Sequence, residues 1–134
     1  MRILGIDYGT KRVGIAVSDP DAHFALPHSI IQRASKDDMS KVVEEIVSIA
    51  TINEAKTIVI GESRDYKGQP NKIMPEISVL KTDLESRGFD VQLELEFMTS
   101  VQAERFQGKT SLSDASAAAL ILQAYLDKQG SIKA

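Results

Sequence analysis

The chain has no cysteine and no tryptophan. Without thiols it can build neither a disulfide framework nor a thiolate metal site, so any metal must be held by oxygen or imidazole ligands, a set suited to hard cations such as magnesium or manganese. Aromatic residues make up only 5% of the chain, too few for a stripe of alternating aromatic and basic side chains. Tyr8 and Tyr66 are therefore expected to pack rather than to stack on unpaired bases. His23 and His28 flank a predicted strand without the spacing of a paired metal site and are expected at the surface. No apolar run approaches the roughly 20 residues needed to span a bilayer. The opening MRILGIDYGT lacks the basic-then-apolar pattern of a secretory leader, which makes the cytoplasm the expected location. Thr99 and Ser100 do not sit in a Gly-x-Ser-x-Gly elbow, so they read as helix caps rather than nucleophiles.

What is present suits one domain over 1–134: 134 residues, 43% of them hydrophobic, suffice for a single core. The net charge of -3 argues mildly against nonspecific adhesion to nucleic acid, which needs clustered Lys and Arg. Charge is nevertheless distributed unevenly. Lys11 and Arg12 lie close to Asp7, and Arg64, Lys67 and Lys72 gather in one predicted loop; each group is either a solvated surface patch or a local phosphate contact.

Along the chain, Ile3 to Ile6 is a short apolar run ending at Asp7, and Tyr8-Gly9-Thr10-Lys11 turns it into a second strand, Val13 to Val17. Ala25 to Ile31 adds a third after the turn-rich Ser18-Asp19-Pro20-Asp21, completing an antiparallel meander. Ser35 is a candidate cap for a helix ending near Ile52, with Met39, Val42, Val43, Ile46, Val47 and Ile49 at helical spacing. Thr57 to Ile60, β-branched and closed by Gly61, reads as a buried strand. A second helix is expected from Lys72 to Arg87 with a glycine stop at Gly88, then a strand from Val91 to Phe97, and a last helix opened by Ser113. A meander followed by α, β, α, β, α implies a mixed five-stranded α/β sheet, its last two strands parallel, flanked by helices.

In such sheets ligands favour the carboxyl ends of the strands. Asp7 closes the first strand, Glu96 nears the end of the last, and Asp114 stands in the first turn of the final helix, so three acids could meet there. Oxygen donors of this kind suit phosphodiester hydrolysis, in which two metal ions about 4 Å apart stabilise both the attacking and the leaving oxygen. Each acid also has an ordinary reading: Asp7 as a turn residue, Glu96 on the outward face of an alternating strand, Asp114 as a favourable charge at a helix start. Glu94 shares the face of Glu96, and a one-residue slip would present Leu95 instead.

A resemblance joins the three. The run Gly5-Ile6-Asp7-Tyr8-Gly9-Thr10-Lys11-Arg12-Val13-Gly14-Ile15-Ala16-Val17-Ser18-Asp19-Pro20 closely resembles the opening signature of the YqgF family, ribonuclease H-like proteins associated with Holliday junction resolution and pre-16S rRNA cleavage. Asp114, then Ala117-Ala118 and Leu120 to Leu126, is similar to the family's final helix. The resemblance implies a ribonuclease H-like fold and a metal-dependent endonuclease that processes the 5′ end of pre-16S rRNA in ribosome biogenesis. It also implies Asp7, Glu96 and Asp114 as catalytic acids and ligands of Mg2+ or Mn2+; the two local basic patches make Lys11, Arg12, Arg64 and Lys67 the candidates for substrate binding. Structured RNA is the expected partner, with branched DNA as the sibling reading and a monomer or homodimer as the assembly.

The chain departs from the family pattern in places. The usual Asp-Glu-Arg is here Leu95-Glu96-Phe97, which loses the acid before and the arginine after, and a neutral Phe97 cannot clamp a phosphate. The connection from Ala103 to Asp114 is short, with only Arg105 and Lys109 as cations. A non-catalytic nucleic-acid-binding module therefore stands as an alternative. Asp7-Tyr8-Gly9-Thr10 also resembles the phosphate-binding hairpin of actin-like and sugar-kinase folds, but those enclose nucleotide between two lobes and this chain has length for one.

Overall fold

The computed structural model describes residues 2–9, 11–33, 38–64, 74–97 and 112–133. At 62–64, 95–97, 112–114 and 130–133 the description is of the backbone. The elements are β1 (Ile3–Tyr8), β2 (Arg12–Ser18), β3 (Ala25–Gln32), α1 (Met39–Ile52), β4 (Thr57–Arg64), α2 (Met74–Ser86), β5 (Asp90–Phe97) and α3 (Leu112–Lys133). The five strands form one sheet in the order β3-β2-β1-β4-β5. β1 pairs antiparallel with β2, and β2 with β3, whereas β4 runs parallel to β1 and β5 parallel to β4. This is the expected meander followed by two parallel strands.

Strand alternation assigns the two faces. Leu4, Ile6 and Tyr8 of β1 join Val13, Ile15 and Val17 of β2 and Ile58 and Ile60 of β4 in a core closed by Val42, Val43, Ile46 and Ala50 of α1 and Ile77, Leu80 and Leu84 of α2. On the other face Ala16 and Val59 meet Ala118, Ile121, Leu122 and Leu126 of α3. Where α3 crosses β1 the strand offers only Gly5, so the helix approaches closely. A Cβ placed on Gly5 would stand 2.7 Å from Leu122 Cβ and 3.1 Å from the Ala118 carbonyl oxygen.

Several boundaries differ from those read in the sequence. β1 ends one residue later than Asp7, because Tyr8 still pairs with Val13; the turn begins only at Gly9. Tyr8 is buried, as its expected packing role requires, while Tyr66 lies outside the described residues. β4 does not end at Gly61 but runs on to Arg64, held in register with β5 as far as the Arg64 and Phe97 pair. Arg64 thus belongs to a strand end rather than a loop. The cap of α1 is Asp38, whose side chain makes no capping bond and turns to Arg33 instead; Ser35 lies outside the described residues. α2 stops through Gly88 at φ 96°, with the Phe89 N–H donating to the Leu84 carbonyl and the Gly88 N–H to the Glu85 carbonyl, a glycine-dependent helix end.

The close approach of α3 makes a test of the packing. Gly5→Ala forces a methyl group into the Leu122 contact, and overpacking of this kind costs about 1–3 kcal/mol. Urea denaturation should show a lower midpoint with an unchanged slope; an unchanged midpoint would mean that α3 does not bear on β1.

Candidate active site

Asp7 is an odd-numbered position of β1, so its side chain is on the α3 face, two residues beyond the Gly5 contact. Its neighbour across the antiparallel pair is Gly14. On the other side Ile6 pairs with Ile60, so the next residue of β4 at the level of Asp7 is Gly61, and Gly61 pairs in turn with Glu94 of β5. Asp7 is therefore flanked on both sides by glycines, which carry no side chain beside it. β1 and β5 are two strand spacings apart, or about 10 Å, with Gly61 between them.

Glu96 lies two residues further along β5 than Glu94 and on the same face by alternation. Asp114 belongs to the first turn of α3, one turn ahead of Ala118, whose carbonyl lies over Gly5. The backbone thus carries Asp7 and Glu96 on the face that α3 covers, and Asp114 on the covering helix. Glu94 is itself buried and accepts a charge-assisted hydrogen bond from Lys128 Nζ. This bond ties α3 to β5, a pairing that sequence spacing could not reveal because the partners are 34 residues apart.

Lys11 and Arg12 are exposed on the turn and strand start that follow Asp7, as a phosphate contact requires. Arg64 ends β4, and Lys67 lies outside the described residues. The chain has no thiolate, so a cation beside Asp7 would take oxygen ligands, a chemistry suited to magnesium or manganese.

A second grouping went unread in the sequence. Ligand atoms of Asp19, Asp21 and His23 all lie within 4.8 Å of one another. This turn is at the opposite end of the sheet from Asp7, since it follows Ser18, whose Oγ accepts from the Ile3 N–H at the start of β1. One of its acids has a structural task. Asp19 Oδ1 accepts hydrogen bonds from the backbone N–H groups of His23 (2.7 Å) and Phe24 (2.9 Å) and so closes the β2–β3 turn. His23 and His28 are both exposed, as expected.

Five strands in this order with helices on both faces define a ribonuclease H-like fold, and solved structures agree. Thermus thermophilus RuvC in complex with a Holliday junction substrate superposes with a TM-score of 0.56 at 14% identity, covering 97% of this chain and 96% of that one. The fowlpox virus Holliday junction resolvase gives a TM-score of 0.58 at 14% identity over 96% and 99%. Within that class the assignment is definite: the RuvX family model, described as Holliday junction resolvase, matches residues 1–128, and the chain belongs to that family. Among its relatives, proteins named "Putative pre-16S rRNA nuclease" are 32% identical over 135 residues in Maridesulfovibrio salexigens, covering 94% of this chain and 98% of that protein. The Clostridium perfringens protein of the same name is 36% identical over 140 residues, covering 96% and 98%.

The Asp19 turn yields a pH prediction. The Phe24 N–H, and with it that of His23, holds the Asp19 carboxyl below the ordinary carboxylate range despite some desolvation. A carboxyl lowered in the folded state orders its turn above the unfolded value of about 3.9 and releases it as pH falls through the lower folded value. The amide resonances of His23 and Phe24 should therefore titrate together with a midpoint below about 3.9, and Asp19→Ala should abolish the step. A midpoint at or above the ordinary Asp value would contradict the hydrogen-bonded turn.

Proposed function

We propose that this chain, acting as one domain over 1–134, is a metal-dependent endonuclease that cleaves the 5′ end of pre-16S rRNA during ribosome biogenesis in the cytoplasm. The observation that carries this reading is the row across the α3 face in which Asp7 stands between Gly14 and Gly61, with Glu96 on the same side of the sheet. Support for the substrate comes from the pre-16S rRNA nuclease name borne by relatives that align over nearly the whole chain. No helix among the described residues is long and apolar enough to cross a membrane.

Asp7, Glu96 and Asp114 would hold Mg2+ or Mn2+, with Asp7 as the central ligand, because a strand residue flanked by paired glycines presents its carboxylate rigidly. When bound, the metal would supply positive charge at the scissile phosphate and activate water. The protein's own groups orient the substrate: Lys11 and Arg12 contact phosphates beside Asp7, and Arg64 and Lys67 supply further positive charge for the nucleic acid. Phe97 brings no charge to the phosphate, so grip falls to these cations.

The family description favours one alternative, cleavage of a four-way DNA junction. That activity requires a symmetric dimer presenting two sites, since two strands must be nicked, whereas RNA processing is compatible with a monomer. Incubating labelled precursor rRNA and a four-way DNA junction with Mg2+ or Mn2+ separates the readings. The expected result is metal-dependent cutting of the RNA that falls by about 100-fold or more in Asp7→Asn, the scale of losing a principal charge-stabilising group. Cutting of the junction by a dimer would establish the DNA reading. Binding of both by folded protein with no cutting of either would leave a non-catalytic binding module.

A further inference from the structure

On the face of the sheet opposite Asp7, one side chain grips the turn that follows it. Arg33 succeeds β3, and its side chain is only 1% exposed. Its guanidinium donates from Nε to Asp38 Oδ1 at 3.1 Å, from Nη1 to the Gly9 carbonyl at 2.9 Å and from Nη2 to Glu76 Oε1 at 3.2 Å. It also lies over the Tyr8 ring, 4.9 Å from the centroid, and the Tyr8 hydroxyl donates to the same Glu76 oxygen at 3.1 Å. Burial alone would lower the Arg33 pKa, but the hydrogen bonds and charges of Asp38 and Glu76 outweigh it, and the group is held more firmly charged than usual. Burial raises the Tyr8 phenol above its ordinary value.

The same residue holds the turn a second time through its backbone, since the Arg33 N–H donates to the Lys11 carbonyl at 3.0 Å. Both carbonyls bracketing the turn, those of Gly9 and Lys11, are therefore fixed by Arg33. The turn is closed internally by the Gly9 N–H donating to the Arg12 carbonyl at 3.0 Å, and it is tight enough that a Cβ on Gly9 would stand 2.7 Å from that oxygen. The grip extends to α2 through Glu76, in the first turn of that helix. A planar fork satisfies three acceptors in three directions at once, which a lysine ammonium on a flexible stem cannot reproduce.

We propose that Arg33 is a positioning residue: it holds the Gly9 to Lys11 turn so that Lys11 and Arg12 stay set to receive nucleic-acid phosphate beside Asp7. The proposal rests on the nuclease reading of Asp7, Lys11 and Arg12. Arg33 itself is buried and does not touch substrate; it acts through the turn.

The test measures binding of a labelled precursor-rRNA fragment across a salt series for wild type, Arg33→Lys, Lys11→Gln and the double variant, with amide exchange at Gly9 recorded on the same proteins. Arg33→Lys is expected to weaken binding by about 10- to 100-fold, the range for losing a supporting partner, and to flatten the salt dependence as Lys11→Gln does. The double variant should lose less than the two single losses combined, because both act on one contact. Gly9 exchange should accelerate while core amides of β1 and β4 stay protected. A destabilised but otherwise unaffected site would leave the salt slope alone, so a folded Arg33→Lys protein with wild-type affinity, salt slope and Gly9 exchange overturns the proposal. If wild type binds no nucleic acid, the nuclease reading fails, and Gly9 exchange alone then decides whether Arg33 holds the turn. If Arg33→Lys does not fold, Glu76→Gln replaces it: a smaller shift in the same direction supports the proposal, and no shift overturns it.

Discussion

The structure depends on the contact between α3 and the glycine at the centre of β1. Because Gly5 has no side chain, Leu122 and the Ala118 carbonyl come within van der Waals reach of the central strand, and the apolar seam of Ala16, Val59, Ile121 and Leu126 closes around them. With a side chain at that position the helix would have to stand off, and the face carrying Asp7 would lose its cover. The same contact fixes the α3 turn containing Asp114 relative to β1, and the bond from Lys128 to Glu94 ties the helix further along to β5.

β1 therefore has two tasks divided by strand alternation. Leu4, Ile6 and Tyr8 sink into the core under α1 and α2, at about 1.5–3 kcal/mol of burial for each large apolar side chain. Gly5 and Asp7 are on the α3 face, Gly5 admitting the helix and Asp7 lying beside Gly14 of β2. The strongest polar network among the described residues, Arg33 with Asp38, Glu76 and the Tyr8 ring, lies on the opposite face and braces the turn rather than the carboxylate.

Much of this was legible in the chain, for physical reasons. The order of strands and helices follows from apolar periodicity and from Gly and Asp turn signals, and the YqgF-like run around Asp7 pointed to the family. Strand ends were misjudged where the next residue continued a pairing: Tyr8 looked like the start of a turn and Gly61 looked like a stop, yet register with β2 and β5 carries both strands onward. The Arg33 network was not legible because Tyr8, Arg33, Asp38 and Glu76 come from four separate elements and meet only once the sheet and helices have packed. Glu94 was read only as a companion of Glu96; its burial against Lys128 is a tertiary fact. The Asp19, Asp21 and His23 grouping had a local signal, alternate residues in one turn, but turn composition alone accounted for it.

The central claim is that divalent metal sits on the α3 face at Asp7. Manganese titrated into isotopically labelled protein reports this directly, because the paramagnetic ion broadens amide resonances near it. The account predicts broadening centred on Asp7, Gly14 and Gly61, extending to Glu96 and Asp114, and absent in Asp7→Asn. Broadening confined to Asp19, Asp21 and His23, with the Asp7 region unchanged, would contradict it.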